Sequence, residues 1–377
     1  MLWVYRNPRS GTLNGGTMTP PTAARPEEEL GLLAAALIRR GHYLAALDTL
    51  RRNPLTTDAL RIELAEVLVR VGRAEESERL AASVLRRNPG PTALSARCHA
   101  LRGMIQRDRG RLSDARESLL KAVRHAEHAS DRQVAAWSTL RLILTVAEES
   151  GPHAAGGIVT AARKRLHQLG DVQATAAFHL FLSELESKRG LFDAARRHLR
   201  TGRALLSGEP NDWLSGYGDV AEACVAYLES DIPGAACAAL RALDAGRSSG
   251  HRMTVVAAMA TLAQILLSRG DLAEAEGQLR EALTLCPRGG GVETAILDTL
   301  AQIRLATGAF TGCSETLADM ARRAPTLDPG SFYHLCAALT ETRLALATGR
   351  GRQALELATT AYKSAADRSF STLSTSL

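Results

Sequence analysis

The feature that most constrains the fold of this chain is a glycine that recurs about every 40 residues, between one helical stretch and the next. Self-similarity at such a period is typical of a solenoid, in which each unit buries its apolar face only against its neighbours. Ser230 stands at the one gap in the series, whose other members are Gly41, Gly72, Gly110, Gly151, Gly190, Gly270, Gly308 and Gly349. The pattern predicts an all-α solenoid of about nine helix-turn-helix repeats.

The amino-acid composition is typical of close-packed helices, and the cysteine pattern is typical of a protein in a reducing compartment. Hydrophobic residues make up 45% of the 377 residues and aromatic residues only 4%, a balance that favours helices over sheets. The six cysteines form no C-x-x-C pair, which indicates small buried side chains rather than disulfides. The N-terminus lacks the apolar run of a signal peptide, and Val255–Leu267 is too short to span a bilayer. We therefore expect a cytoplasmic protein.

The unit around Gly270 illustrates one predicted repeat. A first helix ends at Arg269, a second helix runs to Leu285, and Pro287 comes after that second helix. Glycine adopts the backbone conformation that a tight turn between two helices needs, and Asp271 can cap the second helix.

Two columns of small residues accompany the turns and would let the paired helices approach closely. Five residues after each turn position stand Ala46, Ser77, Ala115, Gly156, Ala195, Ala235, Ala275, Cys313 and Ala354. Seven residues before most turn positions stand Ala34, Ala65, Gly103, Ser183, Ala223, Ala263 and Ala301.

These columns resemble the tetratricopeptide repeat, and the stretches RGDLAEAEGQLREAL (269–283) and RGRLSDARESLLKAV (109–123) match it closely. The resemblance covers residues 30–365, although the family's usual period is shorter, roughly 34 residues. Another paired-helix repeat would also fit the longer period. Units of this length are familiar from the sensor arrays of large bacterial regulators, which the chain also resembles. The resemblance implies a right-handed superhelix whose first helices line a concave groove.

We divide the chain into three parts. Residues 1–26 are rich in Gly, Pro, Thr and Asn, so we expect disorder there, and translation is predicted to start at Met18. Residues 27–367 form the solenoid, and residues 368–377 form a short tail.

The last predicted helix of the solenoid, Gln353–Asp367, raises the question of what covers its apolar face, because a solenoid normally needs a terminal cap. The tail, another chain such as the second copy of a homodimer, or a missing C-terminal domain would provide one. The last two interpretations are favoured equally. The residues near this face are Leu355, Leu357, Ala358 and Ala361.

No motif for catalysis or for cofactor binding is present. The sequence contains no G-x-x-x-x-G-K-[ST], no H-E-x-x-H and no G-x-S-x-G. His125 and His128 stand three residues apart without a third ligand, so we interpret both as surface residues rather than metal ligands. The glycines at 289–291 have no strand before them and form a linker. We predict no enzymatic activity, no metal and no cofactor.

The predicted binding surface is the concave groove. One column, six residues before each turn, mixes acids, amides and arginine, whereas a column facing the core would be uniformly apolar or small. Its members are Glu66, Met104, Thr145, Glu184, Cys224, Gln264, Gln302 and Arg343, and the flanking residues Arg107, Arg141 and Glu148 extend it. Trp213 could form an aromatic patch on the groove with Tyr217 and Tyr227.

The sequence therefore predicts a non-catalytic protein-interaction scaffold or signal-input module that binds a protein or peptide in its groove. The alternative is the N-terminal sensor region, a fragment, of a larger bacterial transcription regulator or signalling protein. The net charge of +6 suggests nucleic-acid binding as a third interpretation. However, the basic run at 194–203 has no interleaved aromatic residues for base stacking. We expect neither a nucleic-acid partner nor a membrane.

Overall fold

A computed structural model describes residues 26–374, and this part of the chain consists of α-helices without a strand. The helices are α1 Pro26–Arg39, α2 Tyr43–Arg51, α3 Asp58–Arg70, α4 Ala74–Arg87, α5 Ala93–Asp108, α6 Leu112–His128, α7 Arg132–Ser150, α8 Gly156–Leu169, α9 Val172–Lys188 and α10 Phe192–Gly208. They continue as α11 Asp212–Leu228, α12 Ile232–Ser249, α13 Arg252–Arg269, α14 Leu272–Leu285, α15 Gly291–Ala306, α16 Phe310–Arg323, α17 Phe332–Ala347, α18 Gly351–Asp367 and α19 Ser371–Ser374. A 3-10 helix, Pro152–Ala155, precedes α8.

The helices α1 to α18 pair in chain order into hairpins, which we number 1 to 9. Each odd-numbered helix packs against the even-numbered helix that comes after it, and it also contacts the next odd-numbered helix. Even-numbered helices make no comparable contacts with one another within residues 26–374. The array therefore curves with its odd-numbered helices on the concave side, which we call the inner wall. The predicted all-α solenoid is confirmed, whereas its handedness and the exact number of repeats stay predictions.

The hairpin turns use the positive-φ backbone conformation that the glycine series predicts. All eight glycines of the series have φ between 73° and 91°, and Ser230, at the gap, has φ 64°. At Gly270 the N–H of Asp271 donates to the carbonyl oxygen of Leu266 at 2.9 Å, and the N–H of Asp231 makes the same bond to Ala226. Both turns thus satisfy carbonyl groups at the end of the first helix. The predicted side-chain cap is wrong at Asp271, which occupies the N-cap position without a capping bond.

The two columns of small residues lie where the helices of a hairpin meet. Ala46, Ala195 and Ala275 have no exposed surface, and Ser77 Oγ donates across the hairpin to the carbonyl oxygen of Ala65 at 2.6 Å.

The prediction that the small residue five positions after each turn lies between the paired helices is wrong at one position, Gly156. Gly156 is exposed, because the 3-10 helix inserted in this turn, Pro152–Ala155, shifts the register by one residue. Ala155 is buried in place of Gly156.

The solenoid coils tightly enough for the tip of one hairpin to contact the hairpin five places further along the chain. The N–H of Asp212, at the start of hairpin 6, donates to the carbonyl oxygen of Arg40 at the tip of hairpin 1. Arg252, at the start of hairpin 7, donates from Nη1 to the carbonyl oxygen of Gly72 at 2.6 Å. Gly110 at the tip of hairpin 3 lies so close to Gly289, before hairpin 8, that a Cβ would overlap the Gly289 carbonyl oxygen.

The same relationship continues to the end of the described chain. Arg368 donates to the carbonyl oxygen of Glu149 in hairpin 4 at 2.8 Å and forms an ion pair with Asp328, which precedes hairpin 9. Thr372 of α19 donates to the carbonyl oxygen of Lys188 in hairpin 5 at 2.8 Å. The short helix α19 therefore occupies the position that a tenth hairpin would take over hairpin 5.

Residues of the predicted tail pack against the last hairpin. Phe370 and Leu373 are buried against Leu335 of α17 and Ala365 of α18. Ala361, one of the residues expected near the open face, is buried with them, whereas Leu355 is 70% exposed. The tail thus covers part of the last hairpin, and Leu355 lies outside the covered area.

The predictions for the N-terminal segment 1–26, including the start at Met18, lie outside the described residues except at Pro26, which is the first residue of α1. Among the helices that are described, none combines the length and the apolar character needed to cross a membrane.

Candidate functional site

The column of predicted groove residues lies on the inner wall, since its members belong to odd-numbered helices. Thr145 and Glu148 are buried, and Arg343 is exposed. The other ten predicted residues are half-buried, and they are Glu66, Met104, Arg107, Arg141, Glu184, Tyr217, Cys224, Tyr227, Gln264 and Gln302. The structure brings part of the column together in one place, and a second place gathers other side chains around Trp213.

The first place is centred on Glu184 of α9. Its carboxylate accepts hydrogen bonds from Lys188 Nζ, at 2.8 Å, and from Tyr217 Oη of α11. Beside it, Arg107 of α5 forms an ion pair with Glu148 of α7, with 3.1 Å between Nη2 and Oε2. We call these five residues, together with Tyr333 of α17, the Glu184 network.

Tyr333 comes from a later turn of the coil. Lys188 Nζ lies 5.4 Å from the centroid of the Tyr333 ring and 5.2 Å from that of Phe332, distances at which a cation is attracted to an aromatic face. A Cβ on Gly291, at the start of α15, would collide with the Tyr333 ring and with Glu148 Oε1. Glycine at 291 therefore allows hairpins 4, 8 and 9 to meet at this network.

Charge pairing dominates the electrostatics of the Glu184 network. Burial acts to raise the pKa of Glu184, but the charges of Lys188 and Arg107 outweigh burial and lower that pKa to about 2. For Lys188, burial acts to lower the pKa, and the Glu184 carboxylate reverses the effect and raises it. Burial, together with Glu184, raises the pKa of Tyr217 well above its usual value. Glu184 and Lys188 therefore both stay charged at neutral pH.

The second place lies where hairpin 1 meets hairpin 6. Trp213 of α11 is surrounded by three aromatic rings, whose centroids lie 6.5 Å (Tyr43), 6.1 Å (Trp137) and 5.3 Å (His251) from its own. Arg70 of α3 places its guanidinium carbon 5.3 Å from the Trp213 ring centroid. We call these five residues the aromatic cluster.

The predicted grouping of aromatic residues is not the one that the structure forms. Trp213 belongs to the aromatic cluster, whereas Tyr217 packs on Phe181 with 5.1 Å between ring centroids. Tyr227 is separate from both, and its hydroxyl lies 3.0 Å from Ser268 Oγ. The two tyrosines therefore point to different parts of the inner wall.

Two residues of the predicted column near the aromatic cluster differ in their pairing. Glu66 accepts from Arg97 Nε at 2.9 Å. Arg141, by contrast, forms neither a hydrogen bond nor an ion pair through its side chain among the described residues. Burial and the neighbouring charge of Arg70 lower the pKa of Arg141 to about 10.

The remaining predicted residues belong to neither the Glu184 network nor the aromatic cluster. Gln302 Nε2 donates to Asp298 Oδ2 at 2.8 Å, and Thr145 Oγ1 donates to the carbonyl oxygen of Arg141 at 2.9 Å. Burial raises the pKa of the Cys224 thiol to about 11. Met104 packs in the apolar core between hairpins 2 and 3, and Gln264 lies on α13.

Sequence reasoning missed Lys188, Tyr333, Arg70 and Tyr43. A usable signal exists for two of them. The position two residues before the turn reads Arg70, Asp108, Glu149 and Lys188 in hairpins 2 to 5, a run of charges next to the predicted column. Tyr333 and Tyr43 carry no such signal, because they reach these places only through the coiling of the array.

Metal-binding chemistry finds no support in the described residues. No group of three or more His, Cys, Asp or Glu side chains there has the arrangement of a metal site. Of the two histidines spaced three residues apart on α6, His125 has its Nδ1 2.8 Å from Ser95 Oγ, and His128 is exposed.

Comparison with known proteins identifies the fold. No protein-family model matches this sequence, and no curated protein sequence matches it either. Solved structures do. The Cut9 chain of the APC/C hetero-tetramer Cut9–Hcn1 aligns with a TM-score of 0.58 at 16% identity, over 85% of this chain and 56% of that one. The present chain thus spans little more than half of that protein's length.

The present chain covers a larger share of two further solved structures. A Rap protein in complex with Competence and Sporulation Factor aligns with a TM-score of 0.55 at 14% identity, over 73% of this chain and 77% of that one. The apo form of the quorum sensor NprR from B. thuringiensis aligns with a TM-score of 0.52 at 10% identity, over 90% and 99%. The chain has the tetratricopeptide-like helical-repeat fold of these proteins.

Proposed function

We propose that this chain is a non-catalytic scaffold that binds a segment of a protein or a peptide along its inner wall. The observation that carries the proposal is the Glu184 network. It gathers two carboxylates, two cations and two tyrosines from α5, α7, α9, α11 and α17 on one face. Tyrosine and arginine are among the residues that most often dominate the energy of protein interfaces.

The network lies where several hairpins meet on the inner wall. Its residues come from hairpins 3, 4, 5, 6 and 9, so a segment bound here contacts several repeats at once. Stacked hairpins hold these side chains on a rigid frame, which lowers the entropy cost of binding. Two matched structures support the proposal, since their names place Cut9 with Hcn1 and Rap with Competence and Sporulation Factor.

A second candidate is signal input in a larger bacterial regulator. The likeness to the quorum sensor NprR over 90% of this chain favours it. The two candidates share the same binding surface and differ in the response that binding triggers. A cytoplasmic location is part of both proposals, and it is supported by buried free thiols at Cys98, Cys286 and Cys313.

The test is capture of a partner by the full chain and by matched variants. Proteins retained by the wild type are identified, purified and titrated against Arg343→Glu, which changes an exposed residue of the predicted column, and Glu184→Gln, which removes the central charge. The control is Glu281→Gln, an exposed position on the even-numbered helix α14.

We expect Glu184→Gln to weaken binding of the purified partner about tenfold or more, as loss of a hydrogen bond to a charged group predicts. The control should bind like the wild type. Circular dichroism of each variant establishes that the helices are intact. Equal affinity of the wild type, Glu184→Gln and Arg343→Glu would mean that the inner wall is not the binding surface.

A further inference from the structure

The even-numbered helices of hairpins 4 and 5 carry an excess of positive charge. Helix α8 contains three Arg or Lys residues and no acid, and α10 contains four arginines and one acid, Asp193. Other helices on this side of the array balance their charges, since α4 and α6 each contain three acids and three Arg or Lys residues. The outer, convex side of the array is therefore basic over hairpins 4 and 5.

Neighbouring carboxylates pair with three of these seven cations. Arg165 of α8 forms an ion pair with Glu127 at 2.6 Å. On α10, Arg196 pairs with Asp193, with 2.7 Å between Nη2 and Oδ1. Arg203 pairs with two carboxylates of α11, at 2.5 Å and 2.6 Å. These three arginines are thus neutralised by the chain itself.

The other four cations have no carboxylate partner in the described part of the chain. They are Arg163 and Lys164 of α8 and Arg197 and Arg200 of α10, and we call them the basic patch. All four are exposed, and their side chains form neither a hydrogen bond nor an ion pair within residues 26–374. Arg197 and Arg200 stand three residues apart, so they lie on the same face of α10. The patch spans the junction between two consecutive hairpins.

The surface around the basic patch is smooth and lacks exposed aromatic rings. Its exposed neighbours on the two helices include the small residues Gly157, Thr160, Ala161, Thr201 and Ala204. Phe192 of α10 packs against the apolar core, and neither helix exposes a large apolar side chain. Stacking of nucleic-acid bases uses exposed aromatic rings, and insertion into a membrane uses exposed large apolar side chains. The surface therefore favours an acidic protein segment over both.

We propose that the basic patch binds an acidic segment of a partner protein, one rich in Asp and Glu. Four cations without a counter-charge attract such a segment and orient it before contact. Three of the four are arginines, whose planar fork binds a carboxylate through two parallel hydrogen bonds. This inference goes beyond the proposed function, because the patch lies on the outer side and one array can hold a second segment along its inner wall.

Fluorescence anisotropy of a labelled oligoglutamate, titrated with the full chain at several sodium chloride concentrations, measures this interaction. A labelled oligouridylate is titrated in parallel. The test variant reverses two charges of the patch, Arg197→Glu with Arg200→Glu. The matched control is Arg352→Glu with Lys363→Glu, which makes the same change in net charge at two exposed positions of α18, neither of them in an ion pair among the described residues.

We expect the wild type to bind oligoglutamate with an affinity that falls as the salt concentration rises. The α10 variant should raise the dissociation constant about tenfold or more, and the α18 variant should bind like the wild type. Both variants should keep the fold, since substitutions at exposed positions change stability little, and circular dichroism checks this.

Three results would overturn the proposal. The first is absence of salt-dependent binding of oligoglutamate by the wild type. The second is equal affinity of the α10 and α18 variants, because net charge rather than the patch would then determine binding. The third is tighter binding of oligouridylate than of oligoglutamate, which would make the patch a nucleic-acid surface.

Discussion

The backbone N–H of Asp212 donates to the carbonyl oxygen of Arg40 at 3.0 Å, so hairpin 6 begins on the tip of hairpin 1. Helical-repeat arrays are usually held together by contacts between successive units alone. Here a second set of contacts joins successive turns of the coil. Single substitutions can separate the energy of this second set from that of the individual hairpins and of the inner wall.

Asn211 joins both kinds of contact in one side chain. Its Oδ1 caps α11 by accepting from Leu214 N at 3.0 Å, and its Nδ2 donates to the carbonyl oxygen of Arg39 at 2.8 Å. Nδ2 also donates to Gln173 Oε1 at 3.2 Å. We expect Asn211→Ala to lower the free energy of unfolding by about 2 kcal/mol, roughly half from the lost cap and half from the lost bonds of Nδ2 to Arg39 and Gln173.

Thr57→Ala is the control for this substitution, because Thr57 caps α3 through a bond to Leu60 N and makes no bond between turns. It should cost about 1 kcal/mol in the same urea titration. Equal costs for the two variants would mean that the bonds of Asn211 Nδ2 add nothing.

Gly110 and Gly270 form a second matched pair. Both have positive φ, 73° and 83°, so alanine at either position carries a strain of about 1 to 2 kcal/mol. A Cβ at Gly110 would also overlap the Gly289 carbonyl oxygen, whereas a Cβ at Gly270 meets nothing within 4 Å. We expect Gly110→Ala to be the more destabilising change and to increase the radius of gyration in small-angle X-ray scattering. An unchanged radius together with equal stability loss would contradict the stacked arrangement.

Glu184 should stabilise the fold in neutral solution and lose that contribution in acid. Its pKa is lowered from 4.5 to about 2, so the stabilisation is complete above pH 4.5 and disappears as the pH falls towards 2. At pH 7 we expect Glu184→Gln to be less stable than the wild type by about 2 to 3 kcal/mol. Urea titrations at pH 7, 5 and 3 should show the difference shrinking with acidity, and a constant difference would refute this origin.

Glu63 should behave in the opposite sense. Burial raises its pKa from 4.5 to about 7, an effect that the charge of Arg97 only partly offsets, and its Oε2 atom is buried without a hydrogen-bond partner in residues 26–374. Ionised Glu63 therefore destabilises the fold, and stability falls as the pH rises from 4.5 through 7. At pH 8, Glu63→Gln should be more stable than the wild type by about 2 kcal/mol, and the gain should vanish near pH 4. A loss of stability at pH 8 would show that the charged carboxylate is needed.

The sequence predicts the local part of this architecture well. The turn at Gly270, the end of α13 at Arg269 and the end of α14 at Leu285 result from residue types that act within one hairpin. The buried small residues are predictable for the same reason. The error at Gly156 arises because the residues of the adjacent 3-10 helix shift the register by one, which no spacing argument from the other turns could anticipate.

The inner wall was predictable only in outline. Glu184, Arg107 and Glu148 fall in or beside the predicted column, but their meeting with Tyr333 depends on how far each hairpin rotates from the last. Small rotations accumulate over several hairpins, so the residue that faces Lys188 from the next turn is not encoded near Lys188. The grouping of Trp213 with Tyr43 instead of Tyr217 has the same origin.

The contact of Gly72 with Arg252 has a consequence for how such an array can change in length. An ordinary solenoid tolerates the gain or loss of one unit, since only the two flanking junctions must adapt. In this coil, removing one hairpin between Gly72 and Arg252 would shift every later hairpin by one position. Each of them would then face a different hairpin on the preceding turn. The contacts between turns therefore constrain the number of hairpins per turn. Insertions that lengthen a loop should be tolerated, whereas insertion of a whole hairpin should not.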